Sequence, residues 1–433
     1  MKTGSLRRSG VLWLALAAVA GAAFGQEETA LKPIPGLSQE KFGKVEDLRA
    51  RLREQQRNLM SLPDSAQLIR ADEELKKFCT ASDLVAITFS EDHKLSQAAF
   101  MLLRGPFNAA LTADHVAGLL KHLRQPPAEE AWRAGWVSRA LGVNRRLGVP
   151  ALVKILRESD DVFARVHAAG GLFVRGSAAD GNQRRAAAEF LLKSLGNEDD
   201  TSREAHNYAQ PLEPWMAEWL VARLADPALS ANFVKNATSL LAHYRPQGLD
   251  EQLKAVYLRA LEQDDPAARI NAVNGLRSLG LSEADLPLYA RIRKDENPHV
   301  RRMLYAGLCD VKAPWAAGLL TAGLDDSLPD NLGICACGLA ALGHKPAVPK
   351  LIEVLRRAPA RADQPFEDGY RQAGEAAVKL AGLEGYDFRQ LTESVGNRFF
   401  GAELIVERPD VYRSERARLL KWWDTTGSKL SWD

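Results

Sequence analysis

Residues 297–308 read NPHVRRMLYAGL, and a closely related pattern recurs along the chain. The other copies are DPAARINAVNGL at 265–276, LGICACGLAAL at 332–342 and, earlier, DDVFARVHAAGGL at 160–172. The Gly-Leu pairs that begin at Gly275, Gly307 and Gly338 are 32 and 31 residues apart. Self-similarity at such a period indicates a repeat protein in which each unit is one supersecondary motif.

Each later copy follows a leucine-rich stretch with helical spacing. These stretches lie at 253–261, 286–292 and 316–324, and a further one at 348–355 precedes residues 373–380. Ala and Leu are abundant in the chain, and both lose little rotamer freedom in a helix. The only β-like run, Val85–Phe89, is short, so the sequence predicts an all-α chain.

Acidic pairs recur at the turns, for example at Asp160-Asp161, Asp199-Asp200 and Asp264-Asp265. An acid just before a helix accepts hydrogen bonds from free N–H groups of the first turn. Proline suits the first helical position, where its missing N–H costs nothing. The recurrence at one structural position favours helix capping over general acid/base catalysis.

The pattern resembles the HEAT repeat, including its shorter bacterial variety, which is related to the repeats of phycobilisome lyases. In that family each unit is a helix–turn–helix with Asp-Pro in the turn and Val-Arg opening the second helix. Val300-Arg301 and Arg165-Val166 match closely, Arg269-Ile270 has the order reversed, and the copy around 330–336 lacks the Arg. The ladder of Arg contacts between repeats is therefore expected to be broken there.

This resemblance covers about residues 111–383 and is less clear between 182 and 244. It implies a right-handed α-solenoid of stacked HEAT-like helix pairs, and it implies no particular chemistry. The physical reason for stacking is that one pair of short amphipathic helices cannot bury its apolar face alone. The predicted organisation is a signal peptide at 1–25, a lead-in with N-terminal helices at 26–83, the solenoid at 84–390 and a capping segment at 391–433.

The signal peptide is predicted from a basic flank, Arg7 and Arg8, followed by the apolar run Val11–Phe24 and small residues. The run is short for a membrane span, which needs roughly 20 residues. An uncleaved anchor is the alternative. If this segment is cleaved, we expect a periplasmic or secreted bacterial protein that is not inserted in a membrane.

Removal of that segment would change the formal net charge from +2 to −1, because the segment holds three cations and no acid. A near-neutral chain has no basic face for nucleic acid. It also lacks a polybasic stretch for an anionic membrane surface.

No catalytic motif and no cofactor motif is present: the chain has no Gly-x-Ser-x-Gly elbow, phosphate-binding loop or dinucleotide fingerprint. His115 and His122 are seven residues apart on one predicted helix, which is a poor spacing for a metal site. No metal site is predicted. Cys79, Cys309, Cys335 and Cys337 are interpreted as buried small hydrophobes, with a disulfide from Cys309 to Cys335 or Cys337 as the alternative.

Tryptophans lie four residues apart in two places, and a third group ends the chain. They are Trp132 with Trp136, Trp215 with Trp219, and Trp422, Trp423 and Trp432. The pairs are interpreted as core residues. The last group, with Leu419, Leu420 and Leu430, is expected to cap the final repeat.

We therefore predict a non-catalytic scaffold that binds a protein partner of unknown identity along the concave face formed by the second helices. From helix phase, the contact residues are Asn271, Asn274, Arg277, Arg302, Tyr305 and Asn331. One alternative is carbohydrate or peptide binding through the Trp clusters. The other is a lyase-like accessory enzyme, against which the predicted export argues.

Overall fold

A computed structural model describes most of the chain after the predicted signal peptide, which lies outside the described residues. Described are residues 31–57, 70–123, 131–210, 212–226, 228–358, 368–386, 388, 392–395, 404–407 and 409–432. The chain divides into two compact units, one up to Leu119 and one from Leu120 onward. The predicted start of the solenoid at residue 84 falls inside the first unit.

The first unit is helical in its described part. Its helices are α1 (Gln39–Arg57), α2 (Ala71–Lys76), α3 (Ala81–Ile87), α4 (His93–Arg104) and α5 (Ala113–Leu119). The run Val85–Phe89 therefore lies mainly in α3 and is not a strand. Asp92 caps α4 by accepting hydrogen bonds from the backbone N–H groups of Lys94 and Leu95, and it also pairs with Arg49 of α1 at 3.0 Å.

The second unit begins with a short 3-10 segment, Leu120–Leu123, and continues as a series of helices. They are α6 (Ala131–Gly142), α7 (Gly148–Glu158), α8 (Val162–Phe173), α9 (Gly181–Ser194), α10 (Asp200–Ala209), α11 (Pro214–Arg223), α12 (Ala231–Ala242), α13 (Asp250–Ala260), α14 (Pro266–Leu279), α15 (Leu286–Ile292), α16 (Pro298–Val311), α17 (Ala317–Gly323), α18 (Pro329–Leu342), α19 (Val348–Arg357), α20 (Asp368–Ala381) and α21 (Pro409–Thr425).

From α7 to α20 these helices form consecutive pairs, in which an odd-numbered first helix packs against the even-numbered second helix that follows it. Each second helix packs against the second helix of the next pair, from α6 through α20. Neighbouring first helices touch one another much less. The second helices therefore form the more closely packed layer of a stack, which we call the inner layer, and this arrangement is an α-solenoid. The predicted all-α solenoid is confirmed.

The turn acids cap the second helices as the sequence predicted. Asp161 accepts from the N–H of Phe163 at 2.9 Å, and Asp265 accepts from the N–H of Ala267 at 2.8 Å. Asn297 likewise caps α16, which begins with Pro298. Each cap satisfies donors that the first helical turn would otherwise leave free.

Arginines near the start of two second helices join successive repeats. Arg269 binds both carboxylate oxygens of Asp295, at 2.8 and 3.1 Å, and Arg301 binds those of Asp326 at 2.6 and 2.8 Å. The equivalent position in α18 is Leu332, which is buried. The predicted break in the Arg ladder at this copy is confirmed.

Small residues let the helices of the stack approach closely. A Cβ added at Gly275 would overlap the ring of Tyr257, which is fully buried between α13 and α14. A Cβ at Gly338 would lie 2.5 Å from Cys309 Sγ. The Gly of each Gly-Leu pair thus leaves room for a side chain from another helix, because close-packed interiors tolerate no extra methyl group there.

A buried polar cluster joins α6, α8 and α10. His167 Nδ1 and the Tyr208 hydroxyl are 2.8 Å apart, and the same hydroxyl lies 3.2 Å from Ser138 Oγ. His167 and Tyr208 are 1% and 3% exposed. Burial, and secondarily the positive charge of Arg139, lowers the pKa of His167 to about 4.

The protein is therefore expected to lose stability on acidification. In the folded chain His167 stays neutral down to about pH 4, whereas in the unfolded chain it takes up a proton near pH 6.5. The folded state therefore loses stability relative to the unfolded state as the pH falls from 6.5 to about 4. The loss should be about 3 kcal/mol in the free energy of unfolding. Denaturant titrations at several pH values measure it.

The variant His167→Gln cannot titrate there and should make the loss between pH 6.5 and about 4 smaller by about 3 kcal/mol. Burial also lowers the pKa of His122 to about 4, and that histidine titrates in both proteins. His299→Gln, a change at an exposed histidine, is the matched control and should leave the profile as it is. Equal pH profiles in wild type and His167→Gln would contradict the assignment.

The C-terminal region contains a hairpin that the sequence analysis did not predict. Strands β1 (Thr392–Val395) and β2 (Leu404–Glu407) are antiparallel, with Thr392 opposite Glu407 and Val395 opposite Leu404. Four residues per strand give too short a pattern for period-two alternation to stand out.

Beside α20, the C-terminal helix contributes a small apolar cluster. The ring of Phe388 lies 6.2 Å from that of Tyr412, edge to face, and contacts α20 at Gly374. Leu419 is also buried. Capping of the final repeat by this group stays a prediction, and Leu430 is 49% exposed and does not contribute to a buried cap.

Candidate functional site

Corresponding positions of α14, α16 and α18 face the same side of the inner layer. Aligning the repeats on their Gly-Leu pairs gives two rows of equivalent residues, which we call the inner strip. The rows are Asn271, Met303, Ile334 and Asn274, Ala306, Cys337. Cys337 is exposed and the other five are half-buried, so the strip is accessible and changes from amide side chains to apolar ones along the stack.

Ion pairs between neighbouring second helices accompany the inner strip. Arg277 donates from Nε to Asp310 Oδ2 at 2.7 Å, and Arg302 lies 3.2 Å from Asp330. Each of these cations is matched by an acid of the same chain. A partner therefore meets a surface with little unpaired charge at this part of the inner layer.

Three predicted contact residues, Asn274, Arg277 and Arg302, are half-buried on this surface. Asn271 is also half-buried, but its Nδ2 donates to the carbonyl oxygen of Lys235 on α12 at 3.0 Å. Its amide thus already joins two repeats. Contact with a partner remains a prediction for all four.

The predicted exposure of Tyr305 and Asn331 is wrong. Tyr305 is 1% exposed, its ring lies against Gly323 of α17, and its hydroxyl donates to Asp326 Oδ2 at 3.3 Å. Asn331 is fully buried, and its Nδ2 donates to the carbonyl oxygen of Pro298 at 3.0 Å. Both lie on helix faces that neighbouring helices cover, which helix phase alone does not reveal.

Helix phase also missed the apolar part of the inner strip, namely Met303, Ala306, Ile334 and Cys337. A signal was present in the sequence, because the Gly-Leu alignment makes these residues equivalent to Asn271 and Asn274.

The cysteines are free thiols in the structure. Cys79 and Cys335 are buried small side chains, as predicted, whereas Cys337 is exposed. Burial raises the pKa of Cys79 to about 12 and that of Cys309 to about 11. The Cys309 thiol donates to the carbonyl oxygen of Ile334 at 3.3 Å. The thiols of Cys79 and Cys309 are therefore poor nucleophiles.

His115 belongs to the first unit and His122 to the 3-10 segment that opens the second. His115 Nδ1 accepts from the N–H of Thr112 at 3.2 Å, so the neutral ring carries its proton on Nε2 and donates it to Ser82 Oγ at 2.9 Å. A serine that accepts this bond is not activated as a nucleophile. Within the described ranges, no three His, Cys, Asp or Glu side chains are placed to hold a metal ion.

The two internal Trp pairs are neither fully buried nor fully exposed. The guanidinium of Arg185 lies 3.5 Å from the centre of the Trp215 ring, whose Nε1 donates to Glu213 at 2.8 Å. Trp219 packs edge to face on Phe233, with ring centres 6.2 Å apart. The interpretation of these pairs as core is thus only partly correct.

Together, the stacked pairs define the class of this protein: an all-α solenoid of helix pairs. No family model matches the chain, and no curated protein matches it. Among the parts of the chain that the structure describes, no helix is both long and apolar enough to cross a bilayer.

The solved structures named here share less than 20% sequence identity with this chain. YibA of Escherichia coli is 15% identical, with 65% of this chain and 95% of YibA covered and a TM-score of 0.45. Kap95p, in a structure that describes its binding to RanGDP, is 12% identical, with 96% and 64% covered and a TM-score of 0.39. Human deoxyhypusine hydroxylase is 19% identical, with 72% and 97% covered and a TM-score of 0.24. The fold assignment rests on the helix stacking described above and not on these likenesses.

Proposed function

We propose that this chain is an exported, non-catalytic scaffold that binds a protein partner through the inner strip. The observation that carries the proposal is the alignment of equivalent accessible residues over α14, α16 and α18. A surface that continues from repeat to repeat can bind an extended partner, and solenoids use their inner layer in this way.

The chemistry of the inner strip indicates what the partner presents. Met303, Ala306 and Ile334 offer apolar area, and methionine adapts its shape to different partners. The neighbouring ion pairs, Arg277 with Asp310 and Arg302 with Asp330, are already satisfied. A partner segment with apolar side chains and little net charge suits this surface better than a strongly charged one.

Export is proposed from the basic flank and apolar run at the N-terminus. Mass spectrometry of the chain recovered from the envelope fraction or the medium of a bacterial host should find an N-terminus near Gln26. Recovery of full-length chain from the cytosol alone would contradict export.

The wild-type chain should capture the partner, and a variant with substitutions in the inner strip should not. We expect the double variant Met303→Asp, Ile334→Asp to reduce recovery of a reproducible partner from a native envelope extract at least about tenfold, because it places two charges in a desolvated contact. Quantitative mass spectrometry after crosslinking measures the recovery.

Leu288→Asp is the matched control, since Leu288 is a half-buried apolar residue on the first helix α15. Both variants must keep the circular dichroism spectrum and unfolding midpoint of the wild type within the same margin. Equal loss of the partner in both variants, or unchanged recovery in the double variant, would show that the inner strip is not the binding surface.

A further inference from the structure

A second accessible site lies away from the inner strip, where the end of α9, the helix α11 and the start of α12 meet. We call this cavity the Trp219 pocket; it has a volume of about 640 Å³. The lining includes the side chains of Lys193, Asn197, Trp219, Arg223, Ser230 and Phe233. Small-ligand sites in proteins have volumes of roughly 300–1,000 Å³.

The walls of the Trp219 pocket are held by hydrogen bonds between the segment after α9 and the start of α12. Ser230 Oγ donates to the carbonyl oxygen of Gly196 at 3.1 Å and caps α12 by accepting from the N–H of Phe233 at 3.3 Å. Asn232 Nδ2 donates to the carbonyl oxygen of Asn197 at 2.9 Å. Because these bonds link consecutive repeats, the pocket is largely preformed, which lowers the entropy lost on binding.

One wall is aromatic. Phe233 is 5% exposed and packs edge to face on Trp219, which fixes the indole, while Trp219 itself stays half-buried and lines the pocket. The π-face of an indole is electronegative and attracts positively polarised C–H groups. A ring with many polarised C–H bonds, such as a pyranose, therefore suits this wall.

The charge of the lining is positive. Lys193 and Arg223 are both exposed side chains on the pocket, and none of the described residues that line it is acidic. Asp226 pairs with Arg223 at 3.0 Å, which offsets one of the two positive charges but leaves other N–H donors of the guanidinium available to a ligand. Two cations from different helices can hold a carboxylate between them.

From this combination we propose that the Trp219 pocket binds a small acidic carbohydrate, a mono- or disaccharide that carries a carboxylate. The indole of Trp219 takes the C–H face of the sugar, Lys193 and Arg223 take its carboxylate, and Asn197 and Ser230 take its hydroxyl groups. The pocket volume suits one or two sugar rings. This site is separate from the inner strip, so it does not depend on the scaffold function.

The test is isothermal titration calorimetry with saturation-transfer NMR on the full chain, using glucuronate and digalacturonate as probes. Glucose is the neutral comparison, and a triglutamate peptide represents an acidic peptide ligand. We expect an acidic sugar to bind with a Kd of about 1 mM or tighter, with glucose at least about tenfold weaker. Binding of the acidic sugar should weaken as salt is raised.

Lys193→Gln keeps the side-chain length, lies at an exposed position and should weaken binding of the acidic sugar about tenfold or more without changing the fold. Trp219→Phe should weaken binding of the acidic sugars and of glucose. Trp136→Phe is the matched control outside the pocket. The proposal is overturned if neither acidic sugar binds at about 10 mM, if Lys193→Gln leaves their affinity unchanged, or if triglutamate alone binds.

Discussion

Replacing Gly142 by Ala is expected to lower the free energy of unfolding by about 3 kcal/mol or more. Gly142 is the last residue of α6, and a Cβ there would overlap the carbonyl oxygen of Gly171 on α8 and lie 2.8 Å from its carbonyl carbon. The obstacle is backbone and not a movable side chain. The two helices must therefore separate, and the packing of the first repeats is lost with them.

Urea titration followed by circular dichroism measures this change, and Gly318→Ala provides its control. Gly318 lies inside α17, and a Cβ there would meet nothing within 4 Å. Alanine should therefore leave stability unchanged or raise it by up to about 1 kcal/mol. Similar stabilities of the two variants would mean that α6 and α8 are not in backbone contact.

The part of the chain that the Gly142→Ala substitution destabilises can be measured separately. Because solenoid repeats contact mainly their neighbours, Gly142→Ala should raise hydrogen exchange in α6 to α8 more than in α16 to α18. Uniform exchange along the second unit would indicate a single cooperative core and would contradict the repeat description.

Removing the carboxylate of Asp326 is expected to cost about 3–5 kcal/mol. The Asp326 side chain is 1% exposed, and Arg301 is 11% exposed and binds it through two hydrogen bonds. In Asp326→Ala the guanidinium would stay buried without its counter-charge. Chemical denaturation of the variant measures the loss.

Asp330→Ala is the matched control, because Asp330 also pairs with an arginine of α16, Arg302, but at an exposed site. Exposed pairs contribute about 0–1 kcal/mol. If both variants were equally stable, the Arg301–Asp326 pair would not be acting as a buried link between repeats.

The same pair has a pH signature. Burial alone would raise the pKa of Asp326, but the hydrogen bonds from Arg301, from the N–H of Leu328 and from Asn331 hold it below its ordinary value. A lowered folded-state pKa means that this stabilisation is present above about pH 4 and is lost as the pH falls further. The Asp326→Ala variant should show a smaller loss in that acidic range than the wild type.

Much of the secondary structure could be predicted because its signals are local. Asp161, Asp265 and Asn297 cap helices through hydrogen bonds within three residues, and the Gly-Leu spacing marks the repeats without reference to other parts of the chain. The hairpin and the division at Leu119 escaped prediction. Each depends on which segments pack together.

The candidate site was harder to predict than the fold. The sequence places Asn274, Arg277 and Arg302 on second helices, and all three are accessible. It could not exclude Tyr305 and Asn331, whose burial depends on α17 and on the neighbouring second helix. Which face of a helix in the stack is exposed depends on the helices that pack around it. The helical period of the sequence gives only the order in which residues follow one another around the helix.

By itself, then, the amino-acid sequence determined that this chain is a series of capped helix pairs with glycines where helices must come close. Capping, periodicity and glycine placement act over a few residues or one repeat length. Only the tertiary structure decided that Arg301 is neutralised by Asp326, that Met303 and Ile334 of the inner strip stay accessible, and that Trp219 borders a cationic pocket. Those features arise from side chains of different repeats, and their distances exist only after the repeats have stacked.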